Sequence, residues 1–220
     1  MKTAHSARSK RIRVVIADDH PIVREGLRAV LKTQRDIEVV AEAANGPQAI
    51  EQFLLHRPDV LLLDLRMPEM DGIGVLRAVL EKKPDAKIVV VTHYGGDQDI
   101  YRTLHAGAKA YLLKDSPRQE LLECIRAVHA GRRWISPPVG AQLAAGMEMP
   151  QLTRREVEII RLMANGKSNK EIGDSLGISD NTVKVHVRNM FRKLGATSRT
   201  EALRIALLRG IAHLDDHMAI

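Results

Sequence analysis

Residues 59–72 read D-V-L-L-L-D-L-R-M-P-E-M-D-G, an apolar run that ends on an acid and opens into a loop. Four consecutive apolar residues with no polar alternation predict a strand buried on both faces, the kind found in parallel sheets covered by helices. Asp64, just past that run, then lies beyond a strand's carboxyl end, where open parallel sheets bind their ligands.

Working outward, the same grammar recurs. Asp18 and Asp19 follow I-R-V-V-I-A, Thr92 closes V-V-V-T, and Lys114 follows A-Y-L-L. Apolar runs at 12–17, 37–43, 59–63, 87–92 and 108–113 alternate with helical patterns at about 21–33, 46–56, 72–83 and 97–106, and a fifth helix follows at about 117–130. Strand–helix alternation of this period predicts an α/β domain with a parallel sheet covered on both faces. All strands of such a sheet point one way, so the polar groups emerge together at one edge. Three carboxylates crowded there repel, and a divalent cation with oxygen ligands relieves them. A cation, an ammonium and a carboxylate make a site for handling a phosphoryl group.

The motifs I-A-D-D-H-P, D-L-R-M-P-E-M-D-G, V-V-V-T and A-K-A-Y-L-L-K, in this order and spacing, resemble the receiver domain of two-component response regulators across residues 11–133. The resemblance implies a flavodoxin-like five-stranded sheet of order 2-1-3-4-5. It implies that Asp64 accepts a phosphoryl group from a phosphohistidine on a sensor histidine kinase, as a carboxylate nucleophile. It implies Mg²⁺ held by Asp19, by Asp18 through water, by Asp64 and by the backbone carbonyl of Arg66. Lys114 and the cation would offset charge on the phosphoryl group. Thr92 is similar to the switch hydroxyl that moves onto the aspartyl phosphate, and Tyr111 to the aromatic that swings inward when Thr92 moves. One departure is His93, where the family usually has a small residue. It either slows phosphotransfer or responds to pH, or it simply folds outward on a loop loosened by Gly95 and Gly96.

Aspartyl-phosphate enzymes that act on outside substrates need a second acid two residues past the nucleophile. Here that residue is Arg66. The expectation is therefore self-modification at Asp64 with slow autodephosphorylation, not turnover.

Net charge is +7, with residues 1–10 carrying three Lys/Arg and no acids, and residues 151–220 carrying twelve against eight. A basic C-terminal third suits an anionic partner. The polar, basic residues 1–10 read as a disordered tail without the apolar stretch of a secretory signal. No apolar run approaches the roughly 18 residues of a membrane span. The single cysteine, Cys124, excludes an intrachain disulfide and fits a reducing cytoplasm. It falls on a helical face with Leu121, Ile125 and Val128, as a buried structural thiol would.

After Gly131 the pattern breaks. Residues 134–150, with paired prolines and no sustained charge, read as a linker with a short helix near Val139–Ala145. Trp134 either packs where the domains meet or caps the last receiver helix. From 151 to 220 a second, all-helical domain is predicted. Thr153–Glu156, Ser168–Glu171 and Ser198–Glu201 are capping-box patterns. Gly166, Gly177, Gly195 and Gly210 stand where helices should stop. They delimit four helices at about 153–165, 169–176, 180–194 and 199–209, the second and third joined by G-I-S as in a helix-turn-helix.

The third of these carries an apolar stripe of Val183, Val187, Met190, Phe191 and Leu194. Its opposite face carries Lys184, Val185, Arg188 and Arg192, a pattern that suits the major groove of double-stranded DNA. The stretch from L-T-R-R-E-V-E-I-I to S-R-T-E-A (152–202) resembles the LuxR-type helix-turn-helix, and the whole chain is similar to NarL/FixJ-type response regulators. This implies base contacts from Lys184, Val185 and Arg188, with phosphate contacts from around Ser168, Asn169, Lys170, Ser179 and Thr182. It implies a homodimer on promoter half-sites when phosphorylated, with Leu203, Ile205 and Ala206 of the last helix in the dimer contact. In the unphosphorylated chain the receiver is expected to cover the recognition helix or the dimer helix. The alternative is a phosphorylation-independent DNA-binding regulator whose receiver is a dimerisation or ligand module.

Overall fold

The structure is a computed structural model that describes residues 11–93 and 95–213. The expected basic tail at 1–10 and the end of the second domain, 214–220, lie outside the described residues. The described residues form two compact units, 11–93 with 103–136, and 95–102 with 137–213.

In the first unit, β1 (Ile12–Ala17), β2 (Ile37–Ala43), β3 (Val60–Leu63), β4 (Ile88–Thr92) and β5 (Ala110–Leu113) fall where the apolar runs predict. Between them run α1 (Pro21–Lys32), α2 (Gly46–His56), α3 (Gly72–Lys82) and α4 (Asp97–His105), and α5 (Arg118–His129) follows. Residues 97–102, the larger part of α4, group with the second unit. Pro21 opens α1, where a missing N–H costs nothing. Asn45 and Asp71 cap α2 and α3 by accepting from Gln48 N and Gly74 N.

Every pairing in the sheet is parallel. Its order is β2-β1-β3-β4-β5-β6, so the expected five strands become six. The extra strand, β6 (Trp134–Ile135), comes from the stretch read as linker. Trp134 pairs with Ala110 and Ile135 with Tyr111. Trp134 therefore pairs along the outer edge of β5 and packs against a core that includes the Leu121, Ile125 and Val128 face of α5. A two-residue strand has no periodicity to read, and its signal is masked by the prolines that follow.

Val14, Val15, Leu61, Leu63, Val89, Val90 and Ala110 are fully buried, as strands covered on both faces must be. Cys124 is fully buried, and burial followed by the nearby Glu120 charge pushes its thiol up to about 12. It is an inert core group.

In the second unit, α6 (Pro137–Glu148) is longer than the short helix expected. α7 (Arg154–Ala164), α8 (Asn169–Leu176), α9 (Asp180–Leu194) and α10 (Arg199–Leu208) follow the predicted bounds closely. Thr153–Glu156 and Ser168–Glu171 form full capping boxes. The third box is a correction: Ser198 caps α10, but the Glu201 carboxylate takes the Thr197 amide and hydroxyl instead. The Glu201 side chain reaches one residue further back than the pattern assumes.

Gly177 ends α8 at φ 66°, a left-handed turn that side-chain-bearing residues adopt only at a cost. Gly173 lets the chain fold back so closely that a side chain there would press on the Ile178 carbonyl. The unit's core gathers Ile159, Ile160, Met163, Ile172, Val183, Met190, Leu194, Ala202 and Ala206.

Candidate functional site: an acidic strand-end pocket and an exposed recognition helix

Register brings the acids together. Ala17 pairs with Leu63, so Asp18 and Asp64 leave their strands side by side. The Asp64 amide donates to the Ala17 carbonyl at 2.8 Å. On the next pair, Thr92 lies opposite Leu113, and the Lys114 amide donates to the Thr92 carbonyl at 2.9 Å. The four expected positions thus meet at the carboxyl edge of the sheet.

Lys114 Nζ bridges the two acids, donating to Asp64 Oδ2 at 2.6 Å and standing 2.7 Å from Asp18 Oδ2. All three side chains are almost wholly buried, at 4%, 3% and 2% exposure. Burial alone would lower the Lys114 pKa, but its hydrogen bonds to the Asp18 and Asp64 carboxylates outweigh it, and the ammonium is held above its usual range. The second Asp64 oxygen accepts from the Leu65 amide at 2.6 Å. Gly72 packs on this loop so tightly that a side chain would collide with the Asp64 carbonyl. Arg24 steadies the other side, donating to the Asp18 carbonyl at 2.7 Å.

Asp19 is partly exposed, and its Oδ1 is buried yet accepts no hydrogen bond. Asp18, Asp19, His20 and Asp64 each offer one ligand atom, and these lie within 4.8 Å of one another. Three carboxylates against the one ammonium of Lys114 leave two negative charges, which a dication matches. The oxygen-rich donor set fits a hard cation such as Mg²⁺.

Thr92 is fully buried at the end of β4, and Arg66 is half-buried in the loop after β3. Tyr111 is also fully buried. His93 is exposed, which agrees with the outward reading. His20 was not among the expected site residues; its place directly after Asp19 was the only available signal.

The second site is the outer face of α9. Val183, Met190 and Leu194 point into the core, with Val187 and Phe191 packed beside them. Lys184, Val185, Arg188 and Arg192 are exposed, as predicted. Val185, a large apolar side chain, stands 53% exposed. Lys184 leans on Asp180 at 2.6 Å, one turn back. Ser179 caps the helix by accepting from Thr182 N, and its hydroxyl lies 2.9 Å from that of Thr182. Ser168 and Lys170 are exposed at the start of α8, with Asn169 half-buried between them. On α10, Ala202 and Ala206 are buried, Leu203 and Ile205 half-buried, and Leu208 exposed.

Lys193, on the inner side of α9, was also missed. It donates to Glu156 Oε2 at 2.7 Å, joining α9 to the capping box of α7.

The response regulator receiver domain family matches residues 14–126, and the LuxR family of bacterial regulatory proteins matches residues 150–206. The transcriptional regulatory protein YhcZ of Bacillus subtilis (strain 168) is 43% identical over 205 residues, which cover 89% of this chain and 95% of that protein. LiaR of the same organism is 40% identical, covering 87% and 94%. Among solved structures, the response regulator ChrA of a heme-sensing two-component system aligns with a TM-score of 0.57 at 37% identity, covering 91% of this chain and 98% of that one. An RcsB–DNA complex aligns with a TM-score of 0.68 at 26% identity, covering 90% and 99%. Among the described residues no helix is long and apolar enough to cross a membrane.

Proposed function

The chain belongs to the response regulators that join a receiver domain to a LuxR-type helix-turn-helix, and we propose that phosphorylation of Asp64 controls how it binds promoter DNA. The observation that carries this reading is the Lys114 ammonium bridging the buried Asp64 and Asp18 carboxylates.

In this reading the Asp64 carboxylate attacks the phosphohistidine of a sensor kinase in the cytoplasm, and the imidazole leaves. Lys114 is already charged and already within reach, so it meets the developing charge without reorganisation. Asp19, Asp64, the Arg66 carbonyl and, through water, Asp18 would hold Mg²⁺, which would supply positive charge against the phosphoryl oxygens. The Thr92 hydroxyl then bonds the new phosphoryl group, and the buried Tyr111 swings inward with that movement. The shift favours a homodimer through the half-buried Leu203 and Ile205 of α10, while Ala206, expected there, is enclosed in the core and cannot reach a partner; the dimer sets two copies of α9 on paired half-sites. There Lys184, Val185 and Arg188 read base edges, while Ser168, Asn169, Lys170, Ser179, Thr182 and Arg192 hold phosphates.

The test combines intact mass, solution size and DNA affinity, with Mg²⁺ and a small-molecule phosphodonor, on wild type and Asp64→Ala. We expect one phosphoryl group on wild type and none on the variant. Dimer formation and a gain in operator affinity of roughly ten-fold, the scale of allosteric coupling, should accompany it. A folded wild type that takes no phosphoryl group would replace this reading with phosphorylation-independent DNA binding.

A further inference from the structure

We propose that His20 is a fourth side-chain ligand of the strand-end cation site, and that it lets a later first-row transition dication compete there with Mg²⁺. The proposal rests on the acid-pocket reading above and adds a nitrogen donor to it.

His20 occupies the N-cap position of α1, yet its side chain makes no capping hydrogen bond. The ring turns instead to the acids. Nδ1 stands 2.6 Å from Asp19 Oδ1 and 3.5 Å from Asp18 Oδ1. The ring nitrogen pairs with Asp19 at that distance, and the ligand atoms of Asp18, Asp19, His20 and Asp64 all lie within 4.8 Å of one another, close enough to share one cation. An octahedral dication with bonds of about 2.1 Å sets neighbouring ligand atoms about 3 Å apart, and the two Nδ1 distances bracket that value. The backbone helps fix the arrangement, because the His20 amide donates to Asp18 Oδ1 at 2.9 Å. The ring is 59% exposed, which leaves room for a partly hydrated ion to enter.

The nitrogen changes which ion the site prefers. Mg²⁺ favours oxygen and gains little from imidazole. Affinity for nitrogen-containing sites rises from Mn²⁺ towards Cu²⁺, and imidazole suits Zn²⁺, Ni²⁺ and their neighbours.

The probe is Co²⁺, titrated into the full-length protein beside a separate Mg²⁺ titration, with paramagnetic proton spectra of the Co²⁺ complex. Wild type should bind Co²⁺ at least about ten-fold more tightly than Mg²⁺ and show hyperfine-shifted imidazole resonances. His20→Ala should lose those resonances and about ten-fold in Co²⁺ affinity, with Mg²⁺ affinity changed by less than about two-fold. Shifted imidazole resonances that persist in His20→Ala would overturn the proposal. So would an equal fall in both affinities, which would make His20 a positioning residue for Asp19. If wild type binds neither ion, or if Asp19→Asn leaves both affinities unchanged, the acid-pocket reading itself fails, and the inference with it.

Discussion

The strand-end pocket and the outer face of α9 both gather charge, but they hold it in opposite ways. In the pocket, Asp18, Asp64 and Lys114 are sealed from solvent and locked to one another at 2.6–2.7 Å. On α9, Lys184 is 56% exposed, and its partner Asp180 is 40% exposed. Buried charges interact strongly and are expensive to leave unpaired. Exposed pairs are screened and contribute little to stability. The difference suits two tasks. Phosphoryl chemistry needs groups that are in place before the reaction. DNA recognition needs groups whose hydration and weak pairings can be exchanged for phosphates and bases.

Lys114→Met should break that contrast most forcefully. It leaves two buried carboxylates facing each other without a counter-charge, at a cost of about 3 kcal/mol at neutral pH. Denaturant unfolding would measure it. In wild type the Lys114 pKa is raised, so its contribution is fully present below the unfolded value of 10.5 and fades only as pH rises through the higher folded value. In the variant, stability should instead improve as pH falls, because a shared proton relieves the two acids. A loss below about 0.5 kcal/mol would mean that the pocket behaves like surface.

Glu156 lies between the extremes. It belongs to the DNA-binding unit but is held as the pocket acids are, with 4% exposure and Lys193 at 2.7 Å. Burial pushes its carboxyl up, but hydrogen bonds from Lys193 and Thr153 outweigh that and hold it below its usual value. Its contribution is therefore present above the unfolded value of about 4.5 and lost as pH falls through the lower folded value. Glu156→Gln should cost about 1–2 kcal/mol at pH 7 and progressively less towards pH 4. A pH-independent cost would show that Lys193 contributes packing and not charge.

The sequence carried most of this arrangement because its two strongest signals are local. Unbroken apolar runs such as V-L-L-L mark strands covered on both faces, and the polar residue after each run marks the ligand edge. Ser168 with Glu171, and Gly177 beyond them, mark where α8 begins and ends. What stayed hidden depends on partners distant in sequence. Trp134 becomes a strand only because β5 has an open edge. Lys193 meets Glu156 from 37 residues away. His20 reads as an ordinary helix cap until its ring is seen turned to Asp19.

The smallest effect on folding should come from Lys184→Ala, and it sharpens the comparison most. An exposed pair one helical turn apart stabilises by about 0.2–0.5 kcal/mol, and alanine's better helix propensity offsets part of that loss. Unfolding should therefore shift by less than about 0.5 kcal/mol. DNA affinity should move far more. If Lys184 reads a base edge, the loss is about 1–3 kcal/mol on the operator and falls mainly on one base position. If it touches only phosphate, affinity drops evenly across sequences, and the slope of log affinity against log salt falls by about one. Arg188→Ala gives the parallel measurement one turn further along the same face. A variant that lost stability without losing DNA affinity would place Lys184 in the scaffold. The division between locked charge at the strand ends and loose charge on α9 would then fail at its most exposed member.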